Sequence, residues 1–538
     1  MMKLTCAFTA LLSWTILDVV ASSKSNLRAS IDESSCNTLK NRESCFQNSD
    51  DATGKSCEWC VSGAIPSQCM SQEQAALLPA GVFECSTPGV QQGRERPDSF
   101  LFNDRTFRLN AREGQDAICD PSSKSISGYM DLEGSKYNEN GEDKHLFFWM
   151  FEKRGTSDAN TPFIVWLTGG PGCSSTLALL SENGPCEVNE DGKSTTVNPH
   201  SWTESAHVLW LDQPAGVGYS YGTETNSNEA MVSEDAYYFL QAFFQTYDEY
   251  SESPLFIVGE SYGGHYGPAI AHRVWRGNQE SLPKTIQLNL SGLGIGNGLT
   301  APEEQYKWYP EMGYNNSHGI QVFDKATYEG MQDAVPRCTS LIKRCNQGDS
   351  MIDNFACQTA FLICNAGLTS PYQMTGLNPY DIRKECGSHP LCYDFSHIEK
   401  FLNDKATKEA LNVDLQHSHA WRSCNMGINM KFHTDWMKDF SPFVADLLNA
   451  GIPALIYAGD VDFICNYLGN KAWTYELEWK GKDAFQAADE HDWKGNGLAR
   501  SAEGLTFLQV YDAGHMVPSD QPVNALDMIT IFVNGGEF

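Results

Sequence analysis

From about residue 117 onward, short apolar runs with strand character alternate with longer segments of helical character. This alternation is typical of parallel strands that are joined by helical crossovers. Helices are then expected on both faces of the sheet, so the sequence predicts an α/β fold on a mainly parallel sheet. The apolar runs are 146–150, 163–167, 208–211, 255–258, 454–457 and 507–510.

One helix can be placed from its sequence. Ser233 is predicted as its N-cap, because a serine side chain can accept a hydrogen bond from a free amide of the first turn. Glu234 and Asp235 favour the positive end of the helix dipole, and aromatic residues recur as far as Tyr250. We interpret these aromatic residues as core packing.

The length of 538 residues exceeds one average domain, so we expect one large domain with additions. Residues 1–21 are predicted to be a signal peptide, because Lys3 precedes a short apolar stretch and Ala21 ends a cleavage site. The stretch is too short to cross a bilayer, and no comparable stretch follows it. We therefore expect entry into the secretory pathway and no membrane anchor.

The chain contains 18 cysteines, which in a secreted protein favour disulfides over metal ligands. Removal of Cys6 with the signal peptide leaves 17, an odd number that predicts at least one free thiol. Six cysteines in a polar stretch predict a cysteine-rich module over residues 22–90, with fifteen possible pairings. We interpret residues 91–115 as a linker or a processing region. The six are Cys36, Cys45, Cys57, Cys60, Cys69 and Cys85.

A second group of cysteines lies within residues 299–421, where strand-like runs are lacking. We predict a disulfide-stapled insertion there, which caps the sheet of a large domain spanning residues 116–538. Its cysteines are Cys338, Cys345, Cys357, Cys364, Cys386 and Cys392.

The formal net charge of −30 argues against nucleic acid and anionic membrane surfaces as partners, because both would repel the chain. Asn289 and Asn315 begin sequons that predict N-glycosylation in the secretory pathway. We expect the protein in a vacuole or lysosome, or outside the cell. An acidic compartment would reduce the self-repulsion of the chain by protonating carboxylates.

Ser261 is the candidate nucleophile. It lies in a Gly-x-Ser-x-Gly motif, residues 259–263, between the apolar run 255–258 and a helical segment. A strand that turns sharply into a helix would expose the serine hydroxyl. The same pattern surrounds Ser220, but no such strand and helix flank it, and the polar stretch that follows, residues 223–228, is typical of a surface loop.

Two later segments contain candidate partners for Ser261. Asp460 and Asp462 both follow an apolar run, and His515 follows the next one. A serine hydroxyl needs a base to accept its proton and an acid to orient that base. The order Ser, Asp, His is the one expected for a nucleophile elbow early in a parallel sheet. Spacing does not choose between Asp460 and Asp462.

Five motifs, in this order, resemble those of the serine carboxypeptidases, over the range from about Cys119 to the C-terminus. The resemblance implies an α/β-hydrolase fold with a catalytic triad of Ser261, Asp462 and His515, and neither a metal nor a cofactor is expected. The motifs are WLTGGPGCSS at 166–175, LDQPAGVG at 211–218, GESYGGHY at 259–266, GDVDFICN at 459–466 and GHMVP at 514–518.

The resemblance also implies the groups that bind the substrate. The backbone amides of Gly170 and Tyr262 would stabilise the oxyanion that forms on attack at a carbonyl. Glu182 and Glu260 would share a proton and hydrogen-bond to the free carboxylate of a peptide C-terminus.

Further positions match the family's substrate site. Trp166 and Gly169 match carboxylate-binding residues, and Thr168 stands where the family has an asparagine, so its hydroxyl replaces an amide. Cys465 matches a free thiol of the binding pocket. Met516 predicts an apolar pocket for the departing C-terminal residue.

The resemblance further implies four disulfides, which leave Cys119 and Cys186 to pair with each other. The four are Cys173–Cys424, Cys338–Cys364, Cys345–Cys357 and Cys386–Cys392.

We therefore expect a serine-type carboxypeptidase that releases C-terminal, hydrophobic residues from peptides or proteins through an acyl-enzyme. Activity should be best at acidic pH, where the carboxyl pair keeps its proton. Two alternatives remain: an acyltransferase of the same family, which passes the acyl group to an alcohol, and a non-catalytic protective or binding protein. The sequence predicts no partner for the cysteine-rich module.

Overall fold

The computed structural model describes most of the chain after residue 117 and shorter pieces before it. The expected signal peptide, residues 1–21, lies outside the described residues. The chain divides into two compact units, Met1–Glu95 and Arg96–Phe538. The described residues are 35–39, 45, 49, 55, 57–61, 68–75, 84–86, 99–102, 105–113, 118–133, 144–222, 226–280, 282–348, 351–389, 391–417 and 419–538.

The first unit contains a small antiparallel sheet. Its elements are a 3-10 helix Ser35–Thr38, β1 Cys57–Val61, β2 Gln68–Ser71, α1 Gln72–Ala75 and β3 Glu84–Ser86. The strands have the order β2-β1-β3. Disulfides Cys36–Cys57 and Cys45–Cys69 join the segment before the sheet to its strands, and Cys60 is disulfide-bonded as well. Such bridges stabilise a module that is too small for a large apolar core.

A thirteen-stranded sheet is the frame of the second unit, and two short pairs, β9 with β10 and β15 with β16, accompany it. The strands are β4 Ser99–Phe102, β5 Arg105–Glu113, β6 Ser125–Glu133, β7 Lys144–Phe151, β8 Phe163–Thr168, β9 Cys186–Val188, β10 Thr195–Val197, β11 His207–Leu211, β12 Tyr221–Gly222, β13 Leu255–Glu260, β14 Leu290–Gly296, β15 Leu377–Asn378, β16 Asp381–Glu385, β17 Ala454–Gly459, β18 His491–Asp492, β19 Gly497–Ala502 and β20 Leu505–Val510.

The centre of the large sheet is parallel. Its order is β18-β19-β20-β17-β14-β13-β8-β11-β7-β6-β5-β4, with β12 beside β7. The strands from β20 to β11 pair in parallel, and both edges are antiparallel. Each apolar run in the sequence lies within one of these strands. The predicted α/β fold is confirmed, but the sheet is not mainly parallel, because seven of the twelve pairings between its described strands are antiparallel.

Strand β14 is central, but no apolar run predicts it. Gly292, Gly294 and Gly296 interrupt its apolar residues. A Cβ on Gly292 would lie 2.7 Å from the ring of Phe256, and a Cβ on Gly296 would lie 2.3 Å from the ring of Tyr457. The glycines leave room for the large side chains of the neighbouring strands, so the strand lacks the usual apolar pattern.

Helices cover both faces of the sheet, and neighbouring residues of β8 show the two layers. Val165 belongs to the apolar core that includes Phe243, and Ile164 belongs to the core that includes Met528. The helices are α2 Ser175–Ser181, α3 Glu229–Thr246, α4 Gly263–Glu280, α5 Pro302–Gln305, α6 Tyr309–Tyr314, α7 Lys325–Cys345, α8 Met351–Cys364, α9 Ser370–Gln373, α10 Ser396–Asn403, α11 Lys405–Ala410, α12 Met426–Lys431, α13 Ser441–Asn449, α14 Tyr467–Glu476, α15 Lys482–Ala487, α16 Val517–Asp520 and α17 Pro522–Val533. Shorter helical turns are Trp202–Glu204, Asp248–Tyr250, Tyr306–Trp308, Phe432–Thr434 and the π-helix Asn365–Thr369.

The predicted N-cap of α3 is wrong by five residues. Asn228, not Ser233, caps the helix, and its side chain accepts a hydrogen bond from the amide of Met231 at 3.1 Å. Ser233 lies one turn inside the helix. Asparagine caps as well as serine does, and it comes first along the chain. The aromatic residues of α3 are buried, as predicted.

The residues between β14 and β17 form a mostly helical layer that includes the predicted insertion, 299–421. Disulfides Cys338–Cys364 and Cys345–Cys357 join α7 to α8, and Cys386–Cys392 follows the β15–β16 hairpin. These pairs are the ones that the family resemblance implies. The hairpin is an exception to the expected lack of strands in this stretch.

Strands β4 and β5 lie within residues 91–115, which the sequence analysis interprets as a linker or a processing region. β5 pairs with β6 from Thr106 through Glu113. Leu109 and Ala111, which alternate with polar residues, pack against the apolar core. This part of the range is therefore an edge of the sheet, and the suggested processing stays a prediction.

A buried ion pair connects β7 to α3. Lys144 Nζ lies 2.8 Å from Asp235 Oδ2 and donates to Asn226 Oδ1 at 2.7 Å, and the Lys144 and Asp235 side chains are buried. We predict that Lys144→Met lowers the free energy of unfolding by about 3–5 kcal/mol, because it leaves the Asp235 charge buried without its cation. Denaturant unfolding of the two proteins measures the difference.

The double variant Lys144→Met/Asp235→Leu should regain most of that stability, because no uncompensated charge remains. Lys325→Met, which removes an exposed partner of Glu329, should leave the unfolding midpoint unchanged. A Lys144→Met protein as stable as Lys325→Met would contradict this account of the pair.

Candidate active site

The carboxyl ends of neighbouring parallel strands bring the candidate residues to one edge of the sheet. Ser261 follows β13, Asp462 follows β17, and His515 follows β20. The turn with Gly170 follows β8. β8 and β13 are adjacent, and β17 and β20 are adjacent, so the loops after these strands meet at the same edge.

Ser261 lies in a sharp turn between β13 and α4. Its φ is +63°, in the left-handed region that a non-glycine residue adopts at a cost in free energy. A Cβ on Gly259 would lie 2.3 Å from the carbonyl oxygen of Gly263, and a Cβ on Gly263 would lie 2.7 Å from that of Leu167. Glycine is therefore needed on both sides of Ser261, and the turn has the geometry of a nucleophile elbow.

Ser220, in the second Gly-x-Ser-x-Gly pattern, is fully buried. Its hydroxyl accepts a hydrogen bond from the amide of Phe147 at 2.7 Å and donates to the carbonyl of Asp212 at 2.6 Å. The Ser220 hydroxyl thus connects the segments that contain Phe147 and Asp212, and it does not lie at the surface. Ser220 is therefore not a nucleophile candidate, as its sequence context indicates.

Asp462, and not Asp460, contacts the histidine. His515 Nδ1 lies 2.8 Å from Asp462 Oδ2, and both side chains are buried. Asp460 instead lies 2.8 Å from His318 Nε2 and accepts a hydrogen bond from the backbone amide of Asp512. The choice that spacing left open, and that the family resemblance made, agrees with this geometry.

Asn297 is a residue that sequence reasoning missed. Its Nδ2 donates to Asp462 Oδ2 at 2.8 Å, and its Oδ1 accepts from the amide of Gly459 at 3.1 Å. The amide of Cys465 also donates to Asp462 Oδ2, at 3.2 Å. These donors fix the orientation of the carboxyl group toward His515. Asn297 directly follows the glycine-rich strand β14, which carries no apolar signal.

The glycine turn after β8 is held from two sides. Gly170 has a φ of +107°, and a Cβ there would lie 2.7 Å from the amide nitrogen of Cys173. Cys173 forms a disulfide with Cys424, and Asn429 Nδ2 donates to the carbonyl of Gly170 at 3.2 Å. The disulfides Cys173–Cys424 and Cys119–Cys186 complete the expected set.

Two glutamates are buried together beside Ser261. Glu182 and Glu260 are hydrogen-bonded to each other, and Oε2 of each is buried without a donor from any other group in the described part of the chain. Burial raises the pKa of Glu182 to about 7. Burial, and then the negative charge of Glu182, raises the pKa of Glu260 well above its ordinary value. The pair therefore holds a proton at acidic pH.

A cavity of about 650 Å³ joins these groups. Ser261, Tyr262 and His515 line it together with both glutamates, and it is of the size that binds small molecules or peptide ends. Predicted residues that also line it are Gly170, Thr168, Cys465 and Met516. Most of the other walls are apolar or aromatic, and sequence reasoning did not find them: Leu177, Leu299, Tyr306, Tyr309, Phe361, Tyr380, Leu391, Tyr393, Phe395, Met426, Trp436 and Ile464.

Trp166 and Gly169 do not line the cavity. Trp166 is fully buried, and its indole N–H donates to Thr168 Oγ1 at 2.9 Å. A Cβ on Gly169 would lie 2.2 Å from the backbone nitrogen of Tyr262. Both residues thus lie behind the wall, where Trp166 orients the Thr168 hydroxyl and Gly169 allows the close approach of two loops.

Cys465 is a buried free cysteine, in agreement with the odd count of thiols. Burial, and then the negative charges of Asp462 and Glu260, raises the pKa of its thiol well above the usual range. A thiol with a raised pKa stays protonated and is a poor nucleophile. Cys465 therefore forms part of the wall of the cavity and is not a nucleophile candidate. Ser261 remains the candidate nucleophile.

Asn289 and Asn315 are both exposed, as attachment sites for glycans must be. Within the described ranges, no helix combines the length and the apolar character required to span a membrane. In the same ranges, no group of three or more histidine, cysteine, aspartate or glutamate side chains is arranged to hold a metal ion.

Comparison with known proteins relates this geometry to a family. The family model for serine carboxypeptidases matches residues 116–535. Carboxypeptidase Y from Komagataella phaffii is 42% identical over 419 residues, which cover 77% of this chain and 76% of the relative. Carboxypeptidase Y from Saccharomyces cerevisiae is 41% identical over 429 residues, which cover 78% of this chain and 77% of the relative.

A solved structure agrees with these relatives. Kex1ΔP, a prohormone-processing carboxypeptidase from Saccharomyces cerevisiae, superposes with a TM-score of 0.68 at 27% identity, and the match covers 79% of this chain and 94% of that one. The chain belongs to the serine carboxypeptidase family and is a hydrolase of that family.

Proposed function

We propose that the protein removes single residues from the C-termini of peptides and proteins by way of an acyl-enzyme on Ser261. The observation that carries the proposal is the buried pair Glu182–Glu260, which lies in the same cavity as Ser261 and His515. Such a pair can bind a carboxylate only while it holds a proton, so it selects a free chain end and an acidic pH.

The first chemical step forms the acyl-enzyme. His515 accepts the proton of the Ser261 hydroxyl as Ser261 Oγ attacks the carbonyl carbon before the last residue. The amides of Tyr262 and Gly170 stabilise the oxyanion. When the C–N bond breaks, His515 returns the proton to the leaving amine, and the C-terminal amino acid departs.

The second step releases the shortened peptide. Water attacks the ester carbonyl while His515 accepts a proton from it, and the proton passes to Ser261 when the ester bond breaks. Asp462 holds the Nδ1–H of His515 in both steps and stabilises the imidazolium.

The leaving residue binds beside the carboxyl pair. Thr168 Oγ1 accepts from Trp166, so the hydroxyl proton is free to donate toward the carboxylate of the substrate. Tyr380, Tyr393 and Met516 supply apolar walls, which favour a hydrophobic terminal side chain.

We propose a secretory route for the protein, with a signal peptide at residues 1–21 and glycans on Asn289 and Asn315. The acid-dependent pair supports a vacuole or lysosome, or an acidic space outside the cell, as its location. The cysteine-rich module at 22–90 and the processing of 91–115 belong to the same proposal.

Replacement of the nucleophile tests the proposal. Ser261→Ala should lower kcat/KM for a C-terminally free peptide by about 10⁴-fold or more, because the acyl-enzyme can no longer form. Mass spectrometry of the digested peptide measures both the loss and the products. Ser220→Ala is the matched control, and it should keep its activity per folded molecule.

A serine-directed phosphonate should label Ser261 in the wild type and leave Ser261→Ala unlabelled. Undiminished release of amino acids by Ser261→Ala would disprove the mechanism. Transfer of the acyl group to alcohols, without release of amino acids from peptides, would establish the acyltransferase instead.

The carboxyl pair predicts how substrate binding depends on pH. Below the raised pKa of Glu182, about 7, both carboxyl groups are protonated and the pair is neutral. Above it Glu182 ionises, and its charge repels the carboxylate of the substrate. KM for a peptide with a free C-terminus should therefore be lowest in acid and should rise up to about tenfold per pH unit above 7. Steady-state kinetics at about four pH values, from roughly pH 5 to pH 9, measures this rise.

An ester substrate without a free carboxylate should show no such rise in KM, because it does not use the pair. Glu182→Gln should weaken the pH dependence, since an amide does not ionise, and Glu187→Gln, at an exposed position, is the matched control. A peptide KM that does not change across this pH range would rule out the proton-sharing pair as the carboxylate site.

The apolar walls predict a preference at the terminal position. Peptides that end in Leu or Phe should have a kcat/KM about tenfold or more above that of peptides ending in Lys or Arg, because burial of an apolar side chain is favourable and burial of a charge is costly. Competition between four peptides that differ only in the last residue measures the order. Faster release of Lys or Arg would contradict the assignment of the pocket.

A further inference from the structure

The hairpin β15–β16 of the insertion contacts the loop that carries Asp462 on both sides of that residue. The amides of Phe463 and Ile464 both donate to the carbonyl of Pro379, at 3.1 and 3.0 Å. The amide of Ile382 donates to the carbonyl directly before Asp462, at 2.9 Å. Backbone hydrogen bonds to the hairpin therefore bracket the acid.

The same hairpin contacts the loop that carries His515. The amide of His515 donates to the carbonyl of Tyr380 at 2.8 Å, and the two rings lie 5.1 Å apart. Gly514 packs so closely that a Cβ would lie 2.3 Å from the carbonyl oxygen of Tyr380. The amide of Gly514 donates to Asp520 Oδ2 at 2.7 Å, so the histidine loop has a second support in α16.

Charged side chains connect the hairpin to that support. Asp381 is fully buried and accepts two hydrogen bonds from the Arg383 guanidinium, each at 2.9 Å. Lys384 Nζ lies 3.0 Å from Asp381 Oδ2 and 3.5 Å from Asp520 Oδ1. Lys384 thus bridges an aspartate of the hairpin and the aspartate that holds Gly514.

Asp462 and His515 lie on loops of different strands, so their 2.8 Å contact depends on what holds the loops together. The hairpin bonds to both loops through its main chain, and none of its charged side chains lines the cavity. We propose that the hairpin sets the position of the acid and the base, and that Lys384 and Asp520 are positioning residues. This inference rests on the proposed function of Ser261 and His515.

A lysine variant tests the role of the bridge. Lys384→Met should lower kcat about twofold to fivefold, with KM for a free peptide unchanged, because the bridge is partly exposed and the carboxyl pair is not touched. Lys384→Arg should restore kcat. Lys482 is the first residue of the remote helix α15 and is paired with Glu478. Lys482→Met is the matched control and should leave kcat unchanged.

An aspartate variant and a salt titration extend the test to the second support. Asp520→Ala removes the acceptor of the Gly514 amide and should lower kcat about tenfold to a hundredfold, since small displacements of a catalytic group are costly. Exposed ion pairs are largely screened in about 1 M NaCl. At this salt concentration the kcat of the wild type should fall to that of Lys384→Met, and the kcat of Lys384→Met should not fall further.

Equal kcat for Lys384→Met, Lys482→Met and the wild type, with no salt effect on the wild type, would overturn the inference. So would losses in Lys384→Met and Asp520→Ala that appear in KM alone. The salt titration decides the question even if a variant does not fold. Failure of the proposed function is a separate outcome, since it would appear as residual turnover by Ser261→Ala.

Discussion

Two carboxyl groups that are buried against each other cannot both be ionised, and this constraint organises the active site. Glu182 and Glu260 lie in the cavity beside Ser261, away from bulk water and hydrogen-bonded to each other. In the proposed function, the shared proton makes the pair a hydrogen-bond donor for the carboxylate of the substrate. On this proposal, the cavity admits a free chain end without an arginine or lysine in its described lining, and the apolar walls would select the terminal side chain.

The fold provides the positions that this chemistry needs. Parallel strands place the serine, the acid, the base and the glycine turn at one edge, and glycines allow the close approach of the turns that carry them. Asn297 and the amide of Cys465 hold Asp462, which in turn holds His515. The insertion contributes more than a cover, because its β15–β16 hairpin bonds to both the acid and the base loops.

The sequence was sufficient for the features that have strong local signals. Apolar runs predict six strands of the sheet, and the flanks of Ser261 separate it from Ser220. Other features depend on tertiary contacts. Strand β14 is glycine-rich because large neighbours fill its space, so Asn297 has no recognisable strand before it. The choice of Asp462 over Asp460 depends on a contact across 53 residues. The N-cap of α3 is Asn228 and not the predicted Ser233, because both residue types cap helices well and local sequence does not choose between them. The walls of the cavity come from distant helices, which local patterns do not relate to each other.

The most direct test of the shared proton is a count of the protons taken up when a peptide binds. Isothermal titration calorimetry of Ser261→Ala with a C-terminally free peptide, in buffers of different ionisation enthalpy, provides that count without turnover. The account predicts uptake of about one proton per peptide above the pKa of Glu182, about 7, and none well below it, because the bound complex holds the proton that Glu182 has lost in the free enzyme. Binding of equal strength at both pH values, with no uptake at either, would contradict it.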